Sequence, residues 1–268
     1  MSPGAALYSE TSGHGAPLVL LHGWAMNLRV FDALRARLAP HYAVTVIDLP
    51  GHGRSPWPSD WSAARQLALI AEAVPPGATL IGWSLGGQLA LQIAAEGART
   101  LTGLILIATT PRFVRGEHWP YALAPATLQQ FARALEHHGA QVISDFLDLQ
   151  VRGSSDATSV RTTLRSALAN QGFAQPQALT AGLSLLEHND LRACARAVAI
   201  PTLVIAGQYD RIVPPEAAQA LAALLPRARL QLVRRSGHAP FLSHLEQVAT
   251  ALLQFLGSSS DTAAALAP

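Results

Sequence analysis

Residues 78–95 read ATLIGWSLGGQLALQIAA: an apolar run, a glycine-rich turn and a second apolar segment. The first run predicts a buried strand, and the spacing of the apolar residues after the turn predicts a helix. Between them stands the motif Gly-x-Ser-x-Gly, with Ser84 at its centre and one more glycine, Gly87, behind it. Between a strand and a helix this motif is typical of a nucleophile elbow, a tight turn that presents the serine hydroxyl above the sheet edge. We therefore interpret Ser84 as a nucleophile; the alternative is a glycine-rich turn that only packs.

The composition indicates one compact α/β domain with a large core and an insertion. Half of the 268 residues are apolar and 13% are charged, which excludes a disordered chain. All nineteen basic residues are arginine, but the formal charge is only +2 and no basic block is interleaved with aromatic residues, so we expect no nucleic-acid partner. The single cysteine, Cys194, excludes an intrachain disulfide and gives no metal-ligand cluster, and we interpret it as a small buried hydrophobe.

No segment of the sequence predicts secretion or membrane insertion. Residues 1–10 lack the basic stretch followed by an apolar stretch that a signal peptide requires. No apolar run approaches the length of a membrane span. We therefore expect a cytoplasmic protein that has no membrane partner, and we expect it to be a monomer.

The order of the apolar runs predicts a mostly parallel sheet flanked by helices. Besides the strand before Ser84, strands are predicted at 18–21, 44–47, 104–107, 201–206 and 230–233, and helices at 30–38, 63–74 and 245–256. Strands that alternate with helices pair in parallel through right-handed crossovers, and functional groups then lie at the carboxyl ends of the strands.

One long segment interrupts this alternation. Between Pro111 and Asp190 the strand-like runs disappear, and four helical segments are predicted at 125–137, 141–150, 159–170 and 177–186. We interpret this segment as a helical cap over the active site. The expected organisation is a first core half at 1–110, the cap at 111–190, a second core half at 191–257 and a flexible tail at 258–268.

A serine hydroxyl is too weakly acidic to attack an ester unaided, so it requires a histidine base and a group that orients the base. Behind a nucleophile elbow the acid and then the histidine follow in the chain. Asp210 comes after the apolar run TLVIA and His238 after LQLV, so we interpret them as the acid and the base. Weaker candidates remain at helix-capping positions, in the helical cap segment, at the surface or in another loop. They are Asp145, Asp148, Asp156 and Asp190 for the acid, and His22, His137, His138, His188 and His244 for the base.

The reaction also requires an oxyanion hole, in which two backbone N–H groups point at the developing negative charge. The N–H of Leu85, directly after the serine, is one predicted donor. The second is expected from the loop His22-Gly23-Trp24 after the first predicted strand, where Trp24 is the natural donor. Its indole would also form a wall of the acyl pocket; the alternative for Trp24 is simple core packing.

Several stretches together resemble the α/β-hydrolase fold, with the cap inserted between the two halves of the sheet. In more detail they resemble the pimeloyl-acyl-carrier-protein methyl ester carboxylesterases of biotin synthesis. The similar stretches are LVLLHGW at 18–24, VIDLPGHGRS at 46–55, GWSLGG at 82–87, WP at 119–120, FLDLQ at 146–150 and SGHAPFLSH at 236–244. That family cleaves the methyl ester that masks the pimeloyl carboxylate and releases methanol.

The resemblance implies roles for particular residues. Ser84, Asp210 and His238 would form the catalytic triad, and no metal or organic cofactor is required because water performs deacylation. The substrate-contacting residues implied are Trp24, Ser84, Leu85, Phe146, Leu147, Asp148, Leu149, Gln150 and His238.

The resemblance also implies an acidic acyl-carrier protein as the partner. Arg152, Arg161 and Arg165 are candidates for docking it, and ordinary solvated arginines are the alternative. Where the family has arginines just before the FLxLQ segment, this chain has Gln141 and Asp145, a departure in the docking region.

Other functions on the same fold remain open. Dehalogenases and epoxide hydrolases place aspartate at the elbow, which Ser84 argues against. General short-chain carboxylesterases and C–C hydrolases share the serine triad. A non-catalytic binding protein on this scaffold would retain the pocket and an idle triad.

Overall fold

The computed structural model describes residues 6–97 and 99–264, and in them seven strands form one sheet. The strands are β1 (Ser9–Ser12), β2 (Pro17–Leu21), β3 (Ala43–Ile47), β4 (Ala78–Trp83), β5 (Leu101–Ile107), β6 (Thr202–Gly207) and β7 (Ala228–Val233). Their order in the sheet is β1-β3-β2-β4-β5-β6-β7; β1 pairs with β3 antiparallel, and all other pairs are parallel. The predicted parallel sheet is therefore confirmed. The polar strand β1, Ser-Glu-Thr-Ser, was not predicted because it has no apolar alternation.

Helices cover the sheet and follow most strands. They are α1 (Asp32–Leu38, after a 3-10 turn at Leu28–Phe31), α2 (Ala63–Glu72), α3 (Leu85–Glu96), α4 (Pro125–Val151), α5 (Ala157–Gln171), α6 (Pro176–His188), α7 (Arg192–Ala197), α8 (Pro215–Leu224), α9 (Pro240–Ser243) and α10 (Leu245–Ala264). The central strands β4 and β6 are buried at every position, which explains why they read as continuous apolar runs. The core therefore lies on both faces of the sheet.

The described residues between β5 and β6 form helices and short bridges but no strand of the sheet. The two helical segments predicted at 125–137 and 141–150 are confirmed as the two parts of α4, which meet at a kink where His138 has a non-helical backbone (φ −138°, ψ 41°). Helix α4 packs on α5 and α6, and α5 packs on the 3-10 turn and on α9 of the core. This helical layer lies over the carboxyl end of the sheet.

The C-terminal helix is longer than predicted. The sequence predicts a helix at 245–256 and a flexible tail at 258–268, but α10 continues to Ala264. The segment after Gly257 is rich in serine and alanine, and alanine favours a helix. Residues 265–268 lie outside the described part of the chain.

Within the described residues, no helix has the length and apolar character needed to cross a membrane.

Candidate active site

The turn between β4 and α3 places Ser84 in a strained position. Ser84 has φ 56° and ψ −117°, a conformation that residues with a side chain rarely adopt. A Cβ on Gly82 would collide with the backbone of Gly86, so strand and helix approach this closely only because Gly82 has no side chain. Ser84 is also the N-cap residue of α3, yet its hydroxyl forms no capping bond. The hydroxyl is therefore available for another partner.

That partner is His238, which in turn contacts Asp210. The distance from Ser84 Oγ to His238 Nε2 is 2.9 Å, and the distance from His238 Nδ1 to Asp210 Oδ2 is 2.7 Å. The other oxygen of the Asp210 carboxylate accepts the backbone N–H groups of Ile212 and Val213 at 2.8 and 2.9 Å. Since a carboxylate only accepts, Nδ1 of His238 donates to it, and Nε2 is left to accept the serine proton. The structure thus brings together three residues that lie up to 154 positions apart.

The loop after β2 lies directly against Ser84. A Cβ placed on Gly23 would be 3.2 Å from the Cβ of Ser84, so the Gly23–Trp24 backbone borders the nucleophile. On the other side Leu85 is the first residue of α3, and an N–H in the first turn of a helix has no acceptor within that helix. This arrangement is compatible with Trp24 and Leu85 as oxyanion donors.

The other candidate acids and bases have other surroundings. Asp190 forms ion pairs with Arg192 and Arg112, at 2.6 and 3.3 Å, and the hydrogen bond from Arg192 lowers the pKa of its carboxyl. Among the described residues, no contact joins Asp145, Asp148, Asp156, His137, His138, His188 or His244 to Ser84.

His22, in the loop that carries Trp24, and His52, in the loop after β3, are buried as neutral rings. Burial lowers the pKa of His22 to about 4 and that of His52 to about 3. His22 Nε2 accepts the backbone N–H of Leu49 at 3.0 Å, so its Nδ1 donates to the carbonyl of Gly23 at 2.8 Å. His22 therefore ties the loop that carries Trp24 to the loop after β3.

A narrow, largely enclosed apolar cavity reaches Ser84. Helices α4 and α6 contribute one side, the segment between β5 and α4 contributes Phe113 and Leu123, and the core contributes the rest. The lining residues are Trp24, Ser84, Phe113, Leu123, Leu128, Phe131, Phe146, Leu149, Leu183, Leu186 and Ile212. Seven of them are not among the substrate contacts predicted from the sequence: Phe113, Leu123, Leu128, Phe131, Leu183, Leu186 and Ile212. Of these, Leu128 and Phe131 in α4 and Leu183 and Leu186 in α6 carry a signal, the helical spacing of apolar residues.

Only part of the segment at 146–150 lines the cavity, and substrate contact by Leu147, Asp148 and Gln150 stays a prediction. Phe146 and Leu149 are on the cavity wall, and Phe146 packs edge-on against Trp24 with ring centroids 4.9 Å apart. The segment is helical, so five consecutive residues point to different sides. Leu147 and Gln150 are buried, and Asp148 is half-exposed and pairs with Arg161. Leu85 and His238 adjoin Ser84 without belonging to the cavity lining.

The three arginines considered for docking differ in their surroundings. Arg161 forms an ion pair with Asp148 at 3.0 Å, which offsets its charge. Arg165 is exposed and reaches the hydroxyl of Ser144 at 3.4 Å. Arg152 is exposed at the C-terminal end of α4. No cluster of three metal-ligating side chains occurs among the described side chains, in the ranges 6–97 and 99–258.

A family model described as the alpha/beta hydrolase fold matches residues 16–245. The chain belongs to the α/β-hydrolase family. Among its solved structural neighbours are a bromoperoxidase from Bacillus anthracis (TM-score 0.84, 24% identity, covering 94% of this chain and 95% of that one) and an esterase from Exiguobacterium antarcticum (TM-score 0.84, 23% identity, covering 94% and 95%). At this identity they show the fold alone.

Closer similarity is found to curated proteins of one activity. A pimeloyl-[acyl-carrier protein] methyl ester esterase of Stenotrophomonas maltophilia (strain K279a) is 44% identical over 257 residues, which cover 95% of this chain and 98% of that protein. One of the same name from Xanthomonas oryzae pv. oryzae (strain MAFF 311018) is 46% identical over 253 residues, covering 94% and 99%.

Proposed function

We propose that this chain is a serine carboxylesterase that hydrolyses the methyl ester of pimeloyl-acyl-carrier protein, giving free pimeloyl-acyl-carrier protein and methanol in biotin synthesis. The observation that carries the reaction type is the hydrogen-bonded chain from Ser84 through His238 to Asp210. The substrate is proposed from the 44–46% identity to esterases of that name over nearly the whole chain.

In this proposal His238 moves the proton at each step. Ser84 Oγ attacks the ester carbonyl while Nε2 of His238 takes its proton. The N–H groups of Trp24 and Leu85 stabilise the oxyanion, each by roughly 3 kcal/mol. The protonated imidazole then gives its proton to the departing methoxide, which leaves as methanol. In deacylation His238 takes a proton from water, which attacks the acyl-serine; the protonated imidazole then returns that proton to Ser84 Oγ as the pimeloyl acid leaves and ionises to the carboxylate.

The apolar lining of the cavity beside Ser84 supports an acyl substrate. Its walls include the aromatic rings of Trp24, Phe131 and Phe146 and leucines from α4 and α6. A methylene chain gains free energy from burial against such walls, about 0.8 kcal/mol per methylene. We propose that residues 111–190 act as the cap and that the acyl chain lies between this cap and Ser84.

The partner in this proposal is the acyl-carrier protein, docked by arginines of the cap. Arg152 and Arg165 are exposed, and no ion pair is found for either within the described chain. Arg161 contributes less, because Asp148 already compensates it. The enzyme is proposed to act in the cytoplasm as a monomer, and size-exclusion chromatography with light scattering tests the second point.

The experiment that tests the function compares two kinds of substrate. The kcat/KM for pimeloyl-carrier-protein methyl ester is measured beside those for p-nitrophenyl esters of increasing chain length. We expect a strong preference for the carrier-bound methyl ester. Hydrolysis of short free esters alone would favour the second candidate, a general short-chain carboxylesterase, for which the same triad suffices.

A second measurement tests the chemistry itself. Ser84→Ala is expected to abolish hydrolysis of both substrates and labelling by a fluorophosphonate, while the far-UV spectrum and melting temperature stay close to those of the parent. An unchanged rate would refute Ser84 as the nucleophile. Absence of labelling and turnover in the parent protein would favour the non-catalytic binding protein.

A further inference from the structure

The main chain of His238 is held on both sides by groups outside the triad. Its N–H donates to the backbone carbonyl of Gln150, at the end of α4, with 3.0 Å between nitrogen and oxygen. Its carbonyl oxygen accepts the indole N–H of Trp83 at 2.8 Å. Trp83 directly precedes the proposed nucleophile, so the elbow and the histidine loop are joined by a hydrogen bond other than that between Ser84 and His238.

The indole of Trp83 has no freedom to turn away. Its side chain is 1% exposed, and it packs edge-on against Phe241 with ring centroids 5.1 Å apart. Its ring carbons also border the loop His22-Gly23-Trp24, since a Cβ on Gly23 would lie 3.2 Å from Trp83 Cε3. The imidazole of His238 is 5.8 Å from the indole, centroid to centroid. The direction of the N–H is therefore fixed by packing.

We propose that Trp83 is a positioning residue for the reaction: its indole N–H holds the His238 peptide so that the imidazole stays between Asp210 and Ser84. The imidazole must satisfy two short hydrogen bonds at once, at 2.7 and 2.9 Å. A displacement of about 1 Å at a reacting group costs up to 100-fold in rate. A buried carbonyl that loses its donor also favours movement of the loop towards another partner. The proposal rests on the triad of the proposed function but not on the identity of the ester.

The test removes the N–H and keeps the ring. Trp83→Phe retains an aromatic side chain against Phe241 but leaves the His238 carbonyl without a donor. We expect kcat for a p-nitrophenyl ester to fall by about 10- to 100-fold with little change in KM. Trp119→Phe is the matched control, because the buried indole of Trp119 donates to the Arg112 carbonyl at 3.0 Å and contacts no triad residue. Its kcat should stay within about twofold of the parent.

A double-mutant comparison separates positioning from general packing. If Trp83 acts through His238, adding Trp83→Phe to His238→Ala leaves the residual rate unchanged. A further loss of the same factor in the His238→Ala background would overturn the proposal. An unchanged kcat for folded Trp83→Phe would also overturn the proposal. If Ser84→Ala still inactivates the enzyme, that result leaves the serine mechanism of the proposed function intact.

A second replacement keeps the proposal testable if Trp83→Phe folds poorly. The benzothiophene analogue of tryptophan, incorporated at position 83, has nearly the same shape but carries sulfur in place of the N–H. The same loss in kcat is expected, with a melting temperature near that of the parent. Full activity with this analogue would show that the N–H has no part in holding His238.

Discussion

The indole Nε1–H of Trp24 donates to the backbone carbonyl of Leu179 at 2.9 Å and so joins the loop after β2 to helix α6. This contact requires a glycine on the facing turn of α6. A Cβ on Gly182 would lie 2.6 Å from Cδ1 of Trp24 and 3.3 Å from Cδ2 of Leu85. The two residues proposed as oxyanion donors are therefore packed against one glycine.

Gly182→Ala is predicted to lower activity. Alanine favours a helix over glycine by about 0.5–1 kcal/mol, but the added methyl must displace the buried Trp24 ring, and overpacking costs about 1–3 kcal/mol. We expect a net loss of stability of about 1 kcal/mol and a fall in kcat/KM of about tenfold. Thermal unfolding and ester hydrolysis measure the two effects.

Gly139→Ala is the matched control for Gly182→Ala. A Cβ on Gly139 of α4 would meet only Cδ1 of Leu135, at 3.8 Å. Here we expect a small gain in stability and unchanged activity. Full activity and a higher melting temperature for Gly182→Ala would contradict the packing argument.

Asp210→Asn is predicted to reduce kcat by about 10³- to 10⁴-fold without unfolding the protein. An amide that donates to His238 Nδ1 would favour the wrong tautomer, and Nε2 could then no longer accept the serine proton. Asp190→Asn is the control, since Asp190 pairs with arginines and not with His238. Equal losses in both variants would refute Asp210 as the orienting acid.

Asp48→Ala is predicted to destabilise the protein by about 3 kcal/mol. The fully buried carboxyl of Asp48 accepts the backbone N–H groups of Leu28 and Arg54 at 2.8 and 2.9 Å, and the side chain of Gln171 at 2.6 Å. Its removal deprives three donors of their acceptor, and two of them, the Leu28 N–H and the Gln171 amide, are buried. Urea unfolding measures the change.

A surface carboxylate provides the comparison for Asp48. Asp32 is 45% exposed and forms 3.3 Å ion pairs with two arginines, so Asp32→Ala should cost less than about 1 kcal/mol. A cost for Asp48→Ala no larger than that for Asp32→Ala would show that the Asp48 network contributes little.

Acid is predicted to destabilise the fold through His22 and His52. Both have a folded-state pKa below the usual 6.5, at about 4 and about 3, so the unfolded chain binds protons before the folded one. Their contribution is present above pH 6.5 and is lost as pH falls from there towards 4. Each adds up to about 1.4 kcal/mol per pH unit to the slope of the unfolding free energy in that interval.

A variant isolates the contribution of one histidine. His52→Gln removes one titrating ring, so its unfolding free energy should depend on pH less steeply between 6.5 and 4 than that of the parent. Denaturant unfolding at several pH values measures both slopes. Equal slopes for parent and variant would show that folding does not lower the pKa of His52.

Carrier docking is predicted to depend on charge. Arg152→Glu with Arg165→Glu should lower kcat/KM for carrier-bound substrate at low salt and spare a small free ester, because long-range attraction is lost but the cavity is untouched. Arg229→Glu with Arg234→Glu, two exposed arginines outside the proposed cap, is a charge-matched control. Equal losses of kcat/KM on both substrates, or equal effects of the two double variants, would refute the docking model.

Much of the fold follows from local patterns in the sequence. The buried strands read as unbroken apolar runs, and Gly82 and Gly86 mark the turn because no other residue permits that approach. The order of serine, aspartate and histidine after their strands was enough to predict which side chains meet, because parallel strands end at one edge of the sheet. Strand β1 carried no such signal, since pairing with β3 and not its own pattern makes it a strand.

The cavity and its support were decided only by tertiary structure. Because the segment at 146–150 is helical, Phe146 and Leu149 line the cavity while Asp148 pairs with Arg161. No sequence motif reveals this division. The bonds from Trp83 to His238 and from Trp24 to Leu179 each join residues 155 positions apart. Periodicity and motifs report local backbone preference and burial, whereas such contacts depend on how whole layers pack, so they become visible only in the folded chain.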